Sequence, residues 1–326
     1  MEYLKPHLTL DQQLQLLAKR GLTINAWEQA RTRLDGIGYY RLAAYLYPFR
    51  RLKPRDLKTT DWNFRFDEFE DESHFEDAVA LYDFDSRLRR VLFEGLESLE
   101  VSLRSQIANA AGAEDIYIHL RRELLDHRAC CKRPKGSNQD AYRLWLSKYQ
   151  KQIMRASGED FIKHHKARYG DELPVWVAME VIDFGSVTHL FNFLPVSIKN
   201  RIARQYGVTQ GTIFASWLGS FNYVRNLVAH HSRVWNKGLV RQPQIPGKRA
   251  VGMEIHHLRE ARSNKIYPVA ALLAYSLRTF EPSNAWNLQV MEVFDSFPDL
   301  RNVTPHWAMG LPDDWRALEL WKQFGY

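Results

Sequence analysis

The sequence is poor in cysteine. Among 326 residues the only two are the neighbours Cys130 and Cys131. An adjacent pair makes neither a disulfide framework nor a four-ligand zinc site, so a reducing, cytoplasmic setting is expected. Long apolar runs are missing too. No stretch approaches 18 consecutive apolar residues, so no membrane-spanning helix is expected. The opening Met1-Glu2-Tyr3-Leu4-Lys5-Pro6 lacks the charged-then-apolar layout of a signal peptide. Alternating strand patterns are scarce, and no repeat recurs at solenoid periods. Surplus charge is small: 45 Lys+Arg against 38 Asp+Glu gives +7. That surplus permits a polyanionic partner without demanding one. With 45% apolar and 25% charged residues, the composition excludes a disordered or low-complexity chain.

What is present is helical periodicity. Thr9 with Gln12, Asn25 with Glu28 and Ser73 with Glu76 each read as a capping box opening a helix. Behind Ser73, Leu88, Leu92, Leu96, Leu99, Leu103 and Ile107 recur at steps of 4, 4, 3, 4 and 4, the stripe of a long core helix bent near Gly95. Residues 50–72 read as a charged, irregular connector, and 126–140 as a polar, basic loop. Helical patterns follow over roughly 140–156, 175–183, 196–206, 212–236 and 269–280, and a Trp-rich tail closes the chain. The expected fold is all-α. The expected organisation is an N-terminal helical region with its connector over 1–72, a helical core over 73–240 and a C-terminal helical region over 241–326.

Charge is unevenly spread. Seven of the eleven residues from Asp67 to Asp77 are acidic. Arg121, Arg122, Arg128, Lys132, Arg133 and Lys135 make a basic stretch, and Lys248 and Arg249 lie in a second one. Such runs are either solvated faces or a place for a polyanion. Three His-His pairs occur, but adjacent histidines on a helix point about 100° apart, and no Cys or carboxylate set accompanies them, so no metal site is expected.

The chemically informative segment is Phe221-Asn222-Tyr223-Val224-Arg225-Asn226-Leu227-Val228-Ala229-His230-His231-Ser232-Arg233-Val234-Trp235-Asn236. It holds no Gly or Pro, so one helix is expected to run through it. Phe221, Val224, Val228, His231 and Trp235 would form its buried stripe. Asn226, His230 and Arg233 would cluster on the opposite face at steps of 4 and 3. Guanidinium and imidazole groups on an exposed face suit phosphate chemistry, one for charge-assisted contacts and the other for proton transfer near neutral pH. Arg225 and His230 have the Arg-x4-His spacing of metal-independent ribonucleases. Arg122/His127 and Arg301/His306 share that spacing, but the second is interrupted by Pro305.

The run Arg225-Asn226-x-x-Ala229-His230-His231-x-Arg233-x-Trp235-Asn236 resembles the signature of bacterial abortive-infection (Abi) proteins of the AbiD/AbiF type, in the HEPN superfamily of ribonucleases. Ile37-Gly38-Tyr39-Tyr40-Arg41-Leu42, Leu81-Tyr82-Asp83-Phe84-Asp85, Glu100-x3-Arg104, Pro174-x-Trp176-x3-Glu180-x3-Phe184-Gly185 and Met309-Gly310-Leu311-Pro312-x-x-Trp315 resemble further blocks of that family.

The resemblance implies a HEPN-type bundle and an endoribonuclease of phage defence or a toxin–antitoxin pair. It implies RNA cleavage without metal or cofactor, by attack of the ribose 2′-hydroxyl on the adjacent phosphorus. His230 would be general acid or base and Arg225 would stabilise phosphoryl charge. Asn226, His231, Arg233 and Asn236 are expected to support them, with His231 in packing rather than catalysis. Glu100 and Arg104 are either a plain i,i+4 ion pair or a polar support beside the site. On a helix Arg225 and His230 point roughly 140° apart, so a single copy converges poorly and a homodimer with a composite site is expected. A small non-coding RNA is a second expected partner. The rival reading is a non-catalytic RNA-binding protein. A helical scaffold with neither property is the third.

Overall fold

A computed structural model describes residues 6–54, 64–301 and 303–322. Its elements are almost all helices: α1 (Leu10–Lys19), α2 (Trp27–Ile37), α3 (Tyr39–Leu46), α4 (Phe75–Gly112), α5 (His127–Cys131), α6 (Ala141–Arg155), α7 (Asp160–Tyr169), α8 (Val175–Val181), α9 (Phe184–Phe193), α10 (Val196–Gln205), α11 (Gly211–Ala229), α12 (Ile266–Phe280), α13 (Trp286–Asp295) and α14 (Pro305–Met309). The fold is all-α and multi-helical, as the periodicity predicts. None of its described helices is long and apolar enough to cross a membrane. Two compact units share the chain: Met1–Leu88 with Val293–Pro305, and Arg89–Glu292 with His306–Tyr326.

In the first unit Thr9 and Gln12 form the expected capping box at α1, and Leu14 and Leu17 are fully buried. The other two capping boxes do not form. The Glu76 carboxylate accepts from Asn25, backbone N–H at 3.2 Å and side-chain amide at 3.4 Å. The Ser73 hydroxyl donates to the Phe49 carbonyl. Asp77 instead accepts the His74 N–H at 3.1 Å, one residue later than expected. Tertiary partners took the side chains that local spacing assigned to caps. The expected irregular connector contains a short antiparallel hairpin, β1 (Arg50–Leu52) with β2 (Arg65–Phe69). Asp67 on β2 ties it down by pairing with both Arg20 and Arg50 at 3.0 Å.

The leucine ladder of α4 is the spine expected: Leu88, Leu92, Leu96, Leu99, Leu103 and Ile107 are all fully buried. At Gly95 the helix meets Trp286, whose indole N–H donates to the Val91 carbonyl at 2.6 Å. A Cβ at Gly95 would lie 2.6 Å from Trp286 Nε1 and 2.8 Å from Cζ2, so only glycine fits there.

The second unit contains α5 to α12. The expected loop after Asp126 opens instead with α5, where the Asp126 carboxylate caps the Ala129 N–H at 3.1 Å. Helices α7, α9 and α13 add to the patterns seen in sequence. Buried Tyr142 and Trp145 pack edge-on against Phe193, and Tyr149 stacks on Trp145 and meets His119. Helix α11 lies against α9, α10 and α12 through Phe214, Trp217, Leu218, Phe221, Val224 and Val228. That buried stripe leaves Asn226, Ala229 and His230 exposed on its outer side.

Candidate functional site

Arg225 sits at the edge of the outer face of α11 and turns toward α4. Its Nε is 3.6 Å from Glu100 Oε2. That is an ion pair but too long for a hydrogen bond, and this buried Nε has no hydrogen-bond partner. The other Glu100 oxygen is held by the Arg104 guanidinium. Arg104 is itself fixed by two carbonyls at the end of α8, Met179 and Ile182, the latter at 2.7 Å. These are among the carbonyls that a helix end leaves unsatisfied, and a cation there also meets the negative end of the helix dipole. So α8 anchors Arg104, Arg104 orients Glu100, and Glu100 faces Arg225. Glu100 and Arg104 form the i,i+4 ion pair, and Glu100 also faces Arg225. Glu100 and Arg225 border a cavity of about 190 Å³ lined also by Phe93, Glu97 and Val101.

The helix does not run through to Asn236 as expected. It ends at Ala229, with His230 as its C-cap. The His231 N–H donates to the Val228 carbonyl at 3.0 Å and the Ser232 N–H to Leu227 at 2.9 Å. These two bonds are a Schellman closure, and its left-handed position is His231, with φ 52°. Glycine usually takes that place, so the sequence carried no stop signal. Two expectations fall with the helix end. His231 is exposed and not part of a buried stripe, and Arg233 is not one turn beyond His230 on a helix face. Val234 and Trp235 are buried all the same, by the chain after the turn.

His230 is exposed at the end of α11, one turn beyond Asn226, which is exposed beside it. Asn236 keeps a buried Oδ1 without a hydrogen-bond partner. The basic candidates divide. Arg122 is bound to Asp140 at 2.8 Å, and its guanidinium also donates to Cys131 Sγ at 3.2 Å. Arg121, Arg128, Lys132, Arg133, Lys135, Lys248 and Arg249 stand exposed.

The sequence reading missed several neighbours. The Met179 and Ile182 carbonyls are backbone acceptors with no signature in side chains. Arg241 was missed as well; its Nε would lie 3.1 Å from a Cβ at Gly219. A glycine inside an otherwise strong helix was the available signal for such a close approach.

The model of the Abi-like protein family matches residues 32–236. The chain belongs to the Abi-like protein family. The match ends at Asn236, the last residue of the Arg225–Asn236 signature. It takes in Glu100, Arg104, Arg225 and His230, and leaves the region after 236 outside. No curated protein and no solved structure matches the chain. Family membership associates the protein with abortive infection.

Proposed function

We propose that this Abi-like protein is a metal-independent endoribonuclease of phage defence, of the HEPN type, acting through Arg225 and His230. The observation that carries the reading is the Arg225 guanidinium, set against Glu100 by an anchored Arg104 and lining an open cavity. Fixing a guanidinium before substrate arrives is what stabilisation of developing phosphoryl charge requires.

In this mechanism His230 takes the proton from the ribose 2′-hydroxyl, or gives one to the departing 5′-oxygen. The 2′-oxygen bonds to phosphorus as the P–O5′ bond breaks. Arg225 binds the non-bridging oxygens through charge-assisted contacts. The products are a 2′,3′-cyclic phosphate and a 5′-hydroxyl, and DNA, lacking the attacking group, is spared. Asn226 orients His230 from one turn earlier.

Arg225 and His230 leave α11 roughly 140° apart by helical geometry. A two-fold pairing of chains would bring one copy's motif to face the other's. The active species proposed is therefore a homodimer in the cytoplasm. The exposed basic residues from Arg121 to Lys135, with Lys248 and Arg249, would hold a longer or regulatory RNA.

The test is incubation of labelled RNA with wild type, Arg225→Ala and His230→Ala in EDTA. Cleavage by wild type alone supports the enzyme. Binding without cleavage by all three would favour an RNA-holding protein.

A further inference from the structure

The outer face of α11 continues past His230 and Asn226 to Asn222 and Gly219, which lie within one arc of the helix. Its side chains are uncommitted. Among the described residues the amides of Asn222 and Asn226 make no hydrogen bond, and no carboxylate pairs with Arg241, whose guanidinium lies over Gly219. Asn222 borders Gly185, its Nδ2 3.5 Å from where a Cβ would be. The two glycines keep the strip free of bulk.

On its flank Lys148 pairs with Asp183 at 2.7 Å. Asp183 is further occupied by capping the Ser186 N–H at 2.7 Å. Its charge is offset by Lys148. His189 lies at the surface nearby; desolvation of its ring, then Lys148 and Arg241, hold its imidazole below the usual value.

We propose that the α11 face from His230 to Gly219, ending at Arg241, is a subsite for the phosphodiester backbone beside the scissile bond. Its ligand is an RNA strand running several nucleotides to one side of the cut. The inference rests on the nuclease reading above and adds a length requirement to it. The eleven steps of 1.5 Å from Gly219 to His230 span about 16 Å. A single RNA strand laid along that length would present several successive phosphates to it. Uncommitted amides and an unpaired guanidinium over glycine are suited to phosphate oxygens.

The test compares kcat/KM in EDTA on an RNA decamer and on a dinucleoside monophosphate, for wild type, Arg241→Ala, Arg241→Glu and a control in exposed cations of α7, Lys163→Ala/Arg168→Ala. Binding of a 2′-O-methyl decamer is titrated against salt in parallel. The subsite predicts a decamer-to-dinucleotide ratio lowered about tenfold by Arg241→Ala and further by Arg241→Glu, with the salt slope reduced by roughly 0.7 for one lost single-strand phosphate contact. An unaltered ratio in both Arg241 variants overturns the subsite and leaves the nuclease intact. An equal fall in the Lys163/Arg168 control also overturns it, because general charge would then explain the effect. Absence of cleavage of either substrate by wild type overturns the nuclease reading itself.

Discussion

Arg225 Nε faces Glu100 Oε2 across 3.6 Å, and Glu100 is in turn gripped by Arg104. One carboxylate thus serves two guanidinium groups in a partly buried setting. Removing it leaves two like charges close together. Glu100→Ala is expected to cost about 2 kcal/mol of stability, less than a fully buried pair because Arg225 is one-third exposed. It should also lower kcat on RNA by ten- to a hundredfold. Glu100→Gln keeps the shape and should lose less. Urea unfolding combined with single-turnover cleavage checks both effects.

His231 occupies a left-handed backbone position. For a residue with a Cβ this costs about 1–2 kcal/mol, partly offset in any glycine variant by unfolded-chain entropy. His231→Gly should therefore stabilise by about 0.5 kcal/mol. His231→Val should destabilise by more than 1 kcal/mol, because β-branching suits that region worst. Thermal melts of the two variants decide the sign.

Gly95 and Trp286 fit only together. Gly95→Ala forces the indole away and should cost about 3 kcal/mol as an overpacked contact. In a Trp286→Leu background the same alanine should cost under 1 kcal/mol. A double-mutant cycle by denaturant unfolding measures that coupling.

Burial of the His119 imidazole lowers it to about 4. Its folded-state value lies below the unfolded value near 6.5. Stability from this group is therefore whole above pH 6.5 and falls as pH drops from 6.5 toward 4, where the unfolded chain binds the extra proton. The full loss is on the order of 3 kcal/mol. Urea midpoints at pH 7 and pH 5 should fall in wild type, and fall less in His119→Phe.

The homodimer predicts a sedimenting mass of twice 38.3 kDa. A strict monomer that still cleaves RNA would remove the composite site from the mechanism.

The helical class and the α4 spine were legible because a repeated leucine step reports burial directly, and all six positions are fully buried. The capping boxes at Ser73 and Asn25 misled because Phe49 and Glu76 offered tertiary partners that no local pattern reveals. The end of α11 was hidden because a histidine takes the turn that glycine would have announced. The resemblance and the Arg-x4-His spacing nominated Arg225 and His230, and i,i+4 spacing paired Glu100 with Arg104; the structure shows that pair and sets Arg225 against Glu100. That Arg104 leans on the end of α8, and that Arg241 crosses Gly219, depends on chain folding between distant segments.

The most direct test of the central claim is the chemistry of the cut ends. RNA digested by the wild-type protein in EDTA, then resolved by mass spectrometry, should carry 2′,3′-cyclic phosphate and 5′-hydroxyl termini, and a single 2′-deoxy substitution at the cut nucleotide should abolish the product. Ends with a 5′-phosphate, or unchanged cleavage by an Arg225→Ala/His230→Ala double variant, would contradict the account.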